Sequence, residues 1–133
     1  MILQPAIKNK LKVLTVDDSQ VVTTRVKSLL FGHECVSSVW HVENYDDALT
    51  FAEAQRPNVI LLDIKLKDKS GIDMLRYIKK NRLAEKAIIF SNYADNYYRK
   101  ICLILGADYF LDKSHDFEKI PLLLKVIHEQ YQR

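Results

Sequence analysis

The sequence predicts an α/β fold: a doubly wound, five-stranded parallel sheet with helices on both faces. Three observations lead there. Short β-branched or apolar runs alternate strictly with stretches whose apolar residues recur at helical spacing. Two of these runs, Val59-Ile60-Leu61-Leu62 and Ala87-Ile88-Ile89-Phe90, are apolar without interruption, as strands buried on both faces are. The 133 residues also contain only 3 Gly and 3 Pro, too few breakers for an all-β domain of many tight turns. Right-handed crossovers would place successive helices on the two faces of one sheet, whose ligands collect at the carboxyl ends of the strands.

The first strand is expected over Leu11 to Val16, ending in Asp17-Asp18-Ser19. Val21, Val22, Arg25, Val26, Leu29 and Leu30 then keep helical spacing up to Gly32. Val36 to Val42 alternates as a second strand near an edge. Asn44 is an N-cap for Tyr45 to Gln55, with Asp46 and Asp47 where the helix dipole favours acids, and Pro57 stops that helix. Val59 to Leu62 is the third strand and ends at Asp63. A polar loop, Lys65 to Lys69, leads through Ser70-Gly71 into a third helix carrying Ile72, Leu75 and Ile78. The fourth strand ends at Ser91. A fourth helix over Asn96 to Leu105 is closed by Gly106, and Tyr109-Phe110-Leu111 is a short fifth strand ending near Lys113. Asp116 is expected to cap the final helix, along which Phe117, Ile120, Leu124 and Ile127 recur.

Composition narrows the class further. A chain of this length buries about two thirds of the surface it exposes when unfolded, so neither disulfides nor a structural metal is needed to hold it. Residues 1–10 read as a short lead and 11–133 as one domain. Hydrophobic residues at 48% and charged residues at 28% exclude disorder and collagen-like repeats. A net charge of +3 is weak reason to expect nucleic acid as a partner, and direct binding to it is not expected. Cys35 and Cys102 stand far apart, outside any CxxC or Cys/His cluster, which fits a reduced compartment. No apolar run approaches the ~18 residues that span a bilayer, and Met1 to Pro5 lack the features of a signal peptide. A soluble, cytoplasmic protein without a membrane partner is expected.

The residues at the ends of the strands carry the chemistry. Asp17 and Asp18 follow the first, Asp63 the third, Ser91 the fourth and Lys113 the fifth. Each has a plain reading on its own: Asp18-Ser19 could cap a helix, Asp63 could be a loop acid, Lys113 a solvated charge. Their coincidence at the ends of the right strands goes further. Carboxylates gathered in space repel one another unless a hard divalent cation joins them or one is protonated. Mg²⁺ suits such a group, and an ammonium and a hydroxyl beside it supply what phosphoryl transfer to a carboxylate needs.

The set Val-Asp17-Asp18-Ser, Leu-Leu-Asp63-Ile, Ser70-Gly71-Ile-Asp-Met-Leu, Ile-Phe-Ser91-Asn-Tyr, Gly106-Ala-Asp-Tyr109 and Leu-Asp-Lys113-Ser resembles the receiver domain of bacterial two-component response regulators, over nearly the whole chain. The resemblance implies a flavodoxin-like (βα)5 sheet of strand order 2-1-3-4-5. It implies that Asp63 takes a phosphoryl group from a sensor histidine kinase or a histidine phosphotransfer protein. Asp18, Asp63 and the backbone carbonyl of Lys65 would hold Mg²⁺, with Asp17 acting mainly through a metal-bound water. Lys113 would pair with Asp63 and then with the phosphoryl oxygens. Ser91 would bind a phosphoryl oxygen while Tyr109 turns inward, reshaping a face of helix four, strand five and helix five that meets a downstream protein target. Such a protein is a self-phosphorylating phosphoacceptor in a phosphorelay, not an enzyme in the usual sense.

Two departures from the family pattern stand at the site, where Ser114 follows the lysine and Lys67 occupies the loop after the nucleophile, both positions where proline is common. Both lead to an expectation of less rigid loops. Lys65 and Tyr93 occupy the positions that, in this family, flank the path of the hydrolytic water, so slow autodephosphorylation is expected. The chain's length, and its end just past the final helix, lead to an expectation of a standalone domain. The alternative is the receiver half of a DNA-binding transcriptional regulator whose output domain is absent from this chain. A Mg²⁺-dependent phosphohydrolase is less favoured, since its nucleophile and second acid usually stand as Asp-x-Asp after the first strand. Dimerisation through helix four and strand five stays open.

Overall fold

The computed structural model describes residues 7–66 and 70–131. Lys67, one of the two expected departures, lies outside the described residues, as does Lys69. The elements run β1 (Leu11–Val16), α1 (Gln20–Leu30), β2 (Val36–Val42), α2 (Tyr45–Gln55), β3 (Val59–Leu62), α3 (Gly71–Asn81), β4 (Lys86–Ser91), α4 (Asn96–Ile104), β5 (Tyr109–Asp112) and α5 (Lys119–Tyr131). The strands pair in parallel in the order β2-β1-β3-β4-β5.

Helix starts follow from side chains that satisfy otherwise unpaired amides. Ser19, Asn44, Ser70 and Asp95 each accept from a backbone N–H in the first turn of α1, α2, α3 and α4. The expected cap of α5 is different. Asp116 turns its carboxylate back to the amide of Asp112, at 2.8 Å, and the helix begins only at Lys119. Phe117, which precedes α5, is committed to an edge-to-face contact with Phe90, their centroids 4.8 Å apart.

The sheet separates two cores. On one face Ala48 and Ala52 of α2, Met74, Leu75 and Ile78 of α3, and Cys102 of α4 pack on Leu14, Val16, Ile60, Leu62 and Ile89. On the other, Val26 and Leu30 of α1 and Ile120, Leu124 and Ile127 of α5 pack on Val13, Val59, Leu61, Ile88 and Phe90. Each fully buried Leu or Ile side chain contributes roughly 1.5–3 kcal/mol, so this double layer fixes the strands relative to one another. The edge strand β2 is only half-buried along most of its length. Its Trp40 packs edge-to-face on Phe51 of α2, with centroids 5.0 Å apart.

Candidate functional site

Strand parity assembles the site. Successive side chains of a strand point to opposite faces. Val13, Leu61 and Leu111 belong to the α1/α5 core, so Asp17, four residues after Val13, and Asp63 and Lys113, each two residues on, emerge on that side at the carboxyl edge. The Lys113 ammonium lies 2.6 Å from Asp17 Oδ2 and 2.9 Å from Asp63 Oδ2, and all three side chains are buried. Asp18 is exposed beside them. One carboxylate oxygen from each of Asp17, Asp18 and Asp63 lies within 4.8 Å of the others.

The backbone holds these groups closely. Asp17 Oδ1 accepts from the amide of Ser19 at 2.9 Å. The peptide N–H of Asp63 donates to Val16 O at 3.1 Å, and the phenol of the buried Tyr45 donates to the carbonyls of Asp63 at 2.8 Å and Ile64 at 3.2 Å. Gly71 closes the floor. A Cβ there would collide with the Asp63 carbonyl and come within 2.7 Å of both Ile64 Cα and Tyr45 Oη, so α3 can start this close only without a side chain.

Burial pushes the Asp17 carboxyl above its ordinary pKa and prevails over the hydrogen bonds from Lys113 and Ser19. Burial also acts to lower the Lys113 ammonium, but its hydrogen bonds to Asp17 and Asp63 win and hold it above the usual lysine value. Asp17 and Asp63 thus share one ammonium with the Asp18 carboxylate close by, so the cluster holds more acid than its cation offsets, and its convergent oxygens suit a hard divalent cation.

Ser91 is fully buried at the end of β4. Its hydroxyl accepts from Tyr93 N at 3.1 Å, and its carbonyl accepts from Lys113 N at 3.0 Å, tying β4 to the lysine. Lys65 and Tyr93 meet across the mouth, with the Lys65 ammonium 4.2 Å from the centre of the Tyr93 ring. The amide of Lys65 donates to Asp63 Oδ1 at 3.4 Å.

Two expectations, one about β5 and one about the loop after it, need correction. Tyr109 pairs with Ile88 and packs in the α1/α5 core, on the face of the sheet opposite to Ser91. The aromatic on Ser91's face is the next residue, Phe110, paired with Ile89, with the Arg99 guanidinium of α4 4.9 Å over its ring. Counting alternation back from Ser91 through its β4–β5 register identifies Phe110; aromatic character alone does not. The loop after Lys113 is also not slack. Asp112 N donates to Asp116 Oδ2, Asp116 N to Asp112 O, both at 2.8 Å, and Ser114 N to Asp112 Oδ1 at 2.8 Å, so paired aspartates hold the turn that carries Ser114.

A family model for the response regulator receiver domain matches residues 13–125. The chain belongs to this family. The receiver is 33% identical over 122 residues to the sensory transduction protein LytT of Bacillus cereus, covering 92% of this chain and 49% of that protein. It is 27% identical over 120 residues to the transcriptional regulatory protein DegU of Brevibacillus brevis, covering 90% and 51%. It therefore spans about half the length of these curated relatives. Among solved structures, a CheY-like response regulator receiver domain protein from Methanospirillum hungatei superposes with a TM-score of 0.81 at 25% identity, covering 93% and 98% of the two chains. Among the described residues, no helix of the receiver is long and apolar enough to cross a membrane.

Proposed function

We propose that Asp63 is the phosphoacceptor of a two-component phosphorelay. The observation that carries this reading is the buried Lys113 ammonium, 2.9 Å from Asp63 Oδ2 among three carboxylates. An Asp63 oxygen would attack the phosphorus of a phosphohistidine on a kinase or phosphotransfer protein. The P–N bond breaks and the histidine leaves, giving an acyl phosphate on Asp63. Asp18, Asp63 and the Lys65 carbonyl would hold Mg²⁺, with Asp17 acting through a bound water. The ion, when bound, supplies charge neutralisation for the phosphoryl oxygens. Lys113 neutralises a phosphoryl oxygen, and the Ser91 hydroxyl, which uses its oxygen toward Tyr93 N, retains its proton to donate to another.

The readout passes to the α4-β5-α5 face. Exposed Leu103 and Ile104 on α4 and Leu122 and Val126 on α5 give that face apolar area for a protein partner. Phe110 and Arg99, between Ser91's face of the sheet and α4, are better placed than Tyr109 to carry the change. The Lys65–Tyr93 pair narrows the approach of water to Asp63, which favours a long-lived phosphoryl group. Replacing both by small or acidic residues should speed its loss, and unchanged decay would remove this part of the reading. The receiver unit is taken to run over 11–133, with residues 1–10 as a lead, in the cytoplasm.

Incubation with a small acyl phosphate and Mg²⁺ tests the central claim by intact mass. An acid-stable, base-labile phosphoryl adduct is expected on the native chain and absent in Asp63→Asn. No adduct on the native chain would overturn it. A second reading, the receiver portion of a transcriptional regulator, is favoured by the half-length coverage of DegU. Locating the stop codon of the gene decides between it and a standalone receiver.

A further inference from the structure

The end of β2 grips the acidic turn through three successive residues. His41 places Nε2 2.7 Å from the carbonyl oxygen of Asp17, Val42 O accepts from the amide of Asp17 at 3.1 Å, and Glu43 Oε1 accepts from Gln20 Nε2 at 2.7 Å. A carbonyl can only accept, so the imidazole is the donor. That carbonyl and the amide of Asp18 belong to one planar peptide unit. The tilt of this plane sets the starting direction of the chain on either side of it, and so the relative aim of the Asp17 and Asp18 side chains. Asp17 is held at its N–H by Val42, at its carbonyl by His41 and at its carboxylate by Ser19 and Lys113.

We propose that His41 is a positioning residue for divalent-cation binding: its Nε2–H, by fixing the Asp17–Asp18 peptide, keeps both carboxylates converged on that of Asp63. This rests on the reading of the acidic cluster as a cation site. His41 lies on the half-buried edge strand and, among the described residues, reaches the cluster through the Asp17 carbonyl. Its removal should therefore spare the ligands and spoil their aim, as loss of an outer partner does at metal sites.

Titration of the full chain with Mg²⁺ alone, followed by amide chemical shifts, reads affinity and folding together. His41→Ala should weaken Mg²⁺ binding by about tenfold, the lower end for such partners. His41→Phe, which keeps a ring but no donor, should match it. His41→Gln, whose side-chain N–H can still donate, should recover most of the affinity, and exposed His115→Ala should change nothing. Binding within twofold of the native chain in a folded His41→Ala would overturn the proposal. So would unfolding of both the Ala and Phe variants, which would make His41 a packing residue. A native chain that binds no Mg²⁺ would instead overturn the cation site itself, and the role of His41 with it.

Discussion

At the amino end of the sheet, the Asp108 carboxylate accepts from the amide of Ala87 at 2.8 Å and from Lys79 Nζ at 3.0 Å, with Lys86 Nζ at 3.7 Å. At the carboxyl end, Asp17 and Asp63 share the ammonium of Lys113, with the Asp18 carboxylate beside them. Both ends place acids beside strand termini, and both use lysine to offset them. The balance differs: one acid has two cations and a peptide donor, while the other group has more negative charge than its cation can neutralise. A satisfied cluster of this kind joins elements and asks for nothing more. An unsatisfied one is held together by its surroundings and gains from a further cation, which makes it a place for chemistry.

The contrast breaks most clearly at the lysines. In metal-free buffer Lys113→Met should cost about 3 kcal/mol, because it leaves buried carboxylates without their partner. Lys79→Met should cost under about 1 kcal/mol, since Asp108 keeps other donors. Urea unfolding checks both, and equal costs would dissolve the distinction. Added Mg²⁺ should stabilise Lys113→Met more than the native chain. Next in size is Gly71→Ala, expected to destabilise by about 2–3 kcal/mol although alanine is the better helix former, because its methyl meets the Asp63 backbone. A neutral result would show that the floor of the site can yield.

The smallest effect compares two acids at the same end. The Asp112 amide holds the Asp116 carboxyl below its ordinary pKa, whereas burial raises that of Asp17. The Asp116 contribution is therefore present above the unfolded value of about 3.9 and lost as pH falls through the folded one. Asp116→Ala should cost about 1–2 kcal/mol at neutral pH, with the gap closing in acid. Asp17 has the opposite sign: its ionisation opposes folding, so Asp17→Asn should gain on the native chain as pH rises through the raised pKa. Stability curves from pH 2 to 7 in metal-free buffer would show the two trends, and parallel curves would contradict both shifts.

The strands and four of the five helix starts were legible in the sequence because each rests on a local signal: apolar or alternating runs for the strands, and amphipathic stretches, at α2 with a capping Asn44, for the helices. The residues Asp17, Asp18, Asp63, Ser91 and Lys113 were legible because strand ends in a parallel sheet share one edge. What failed depended on pairings that composition does not reveal. Tyr109 and Phe110 are both strand aromatics, and only the register with Ile88 and Ile89 tells which faces α4. Asp116 has the composition of a cap, but the amide of Asp112 claims its carboxylate. His41 gave no signal because its partner is a backbone carbonyl 24 residues away in sequence.

The chain's one tryptophan, Trp40, sits against Phe51 and pairs with Leu14, three residues short of Asp17. Its emission is thus a gauge of how α2 rests on the sheet, not of what the acids hold. It adjoins His41 in the same strand, so if Mg²⁺ changes its fluorescence through the His41 contact with the Asp17 carbonyl, His41→Ala should silence that response.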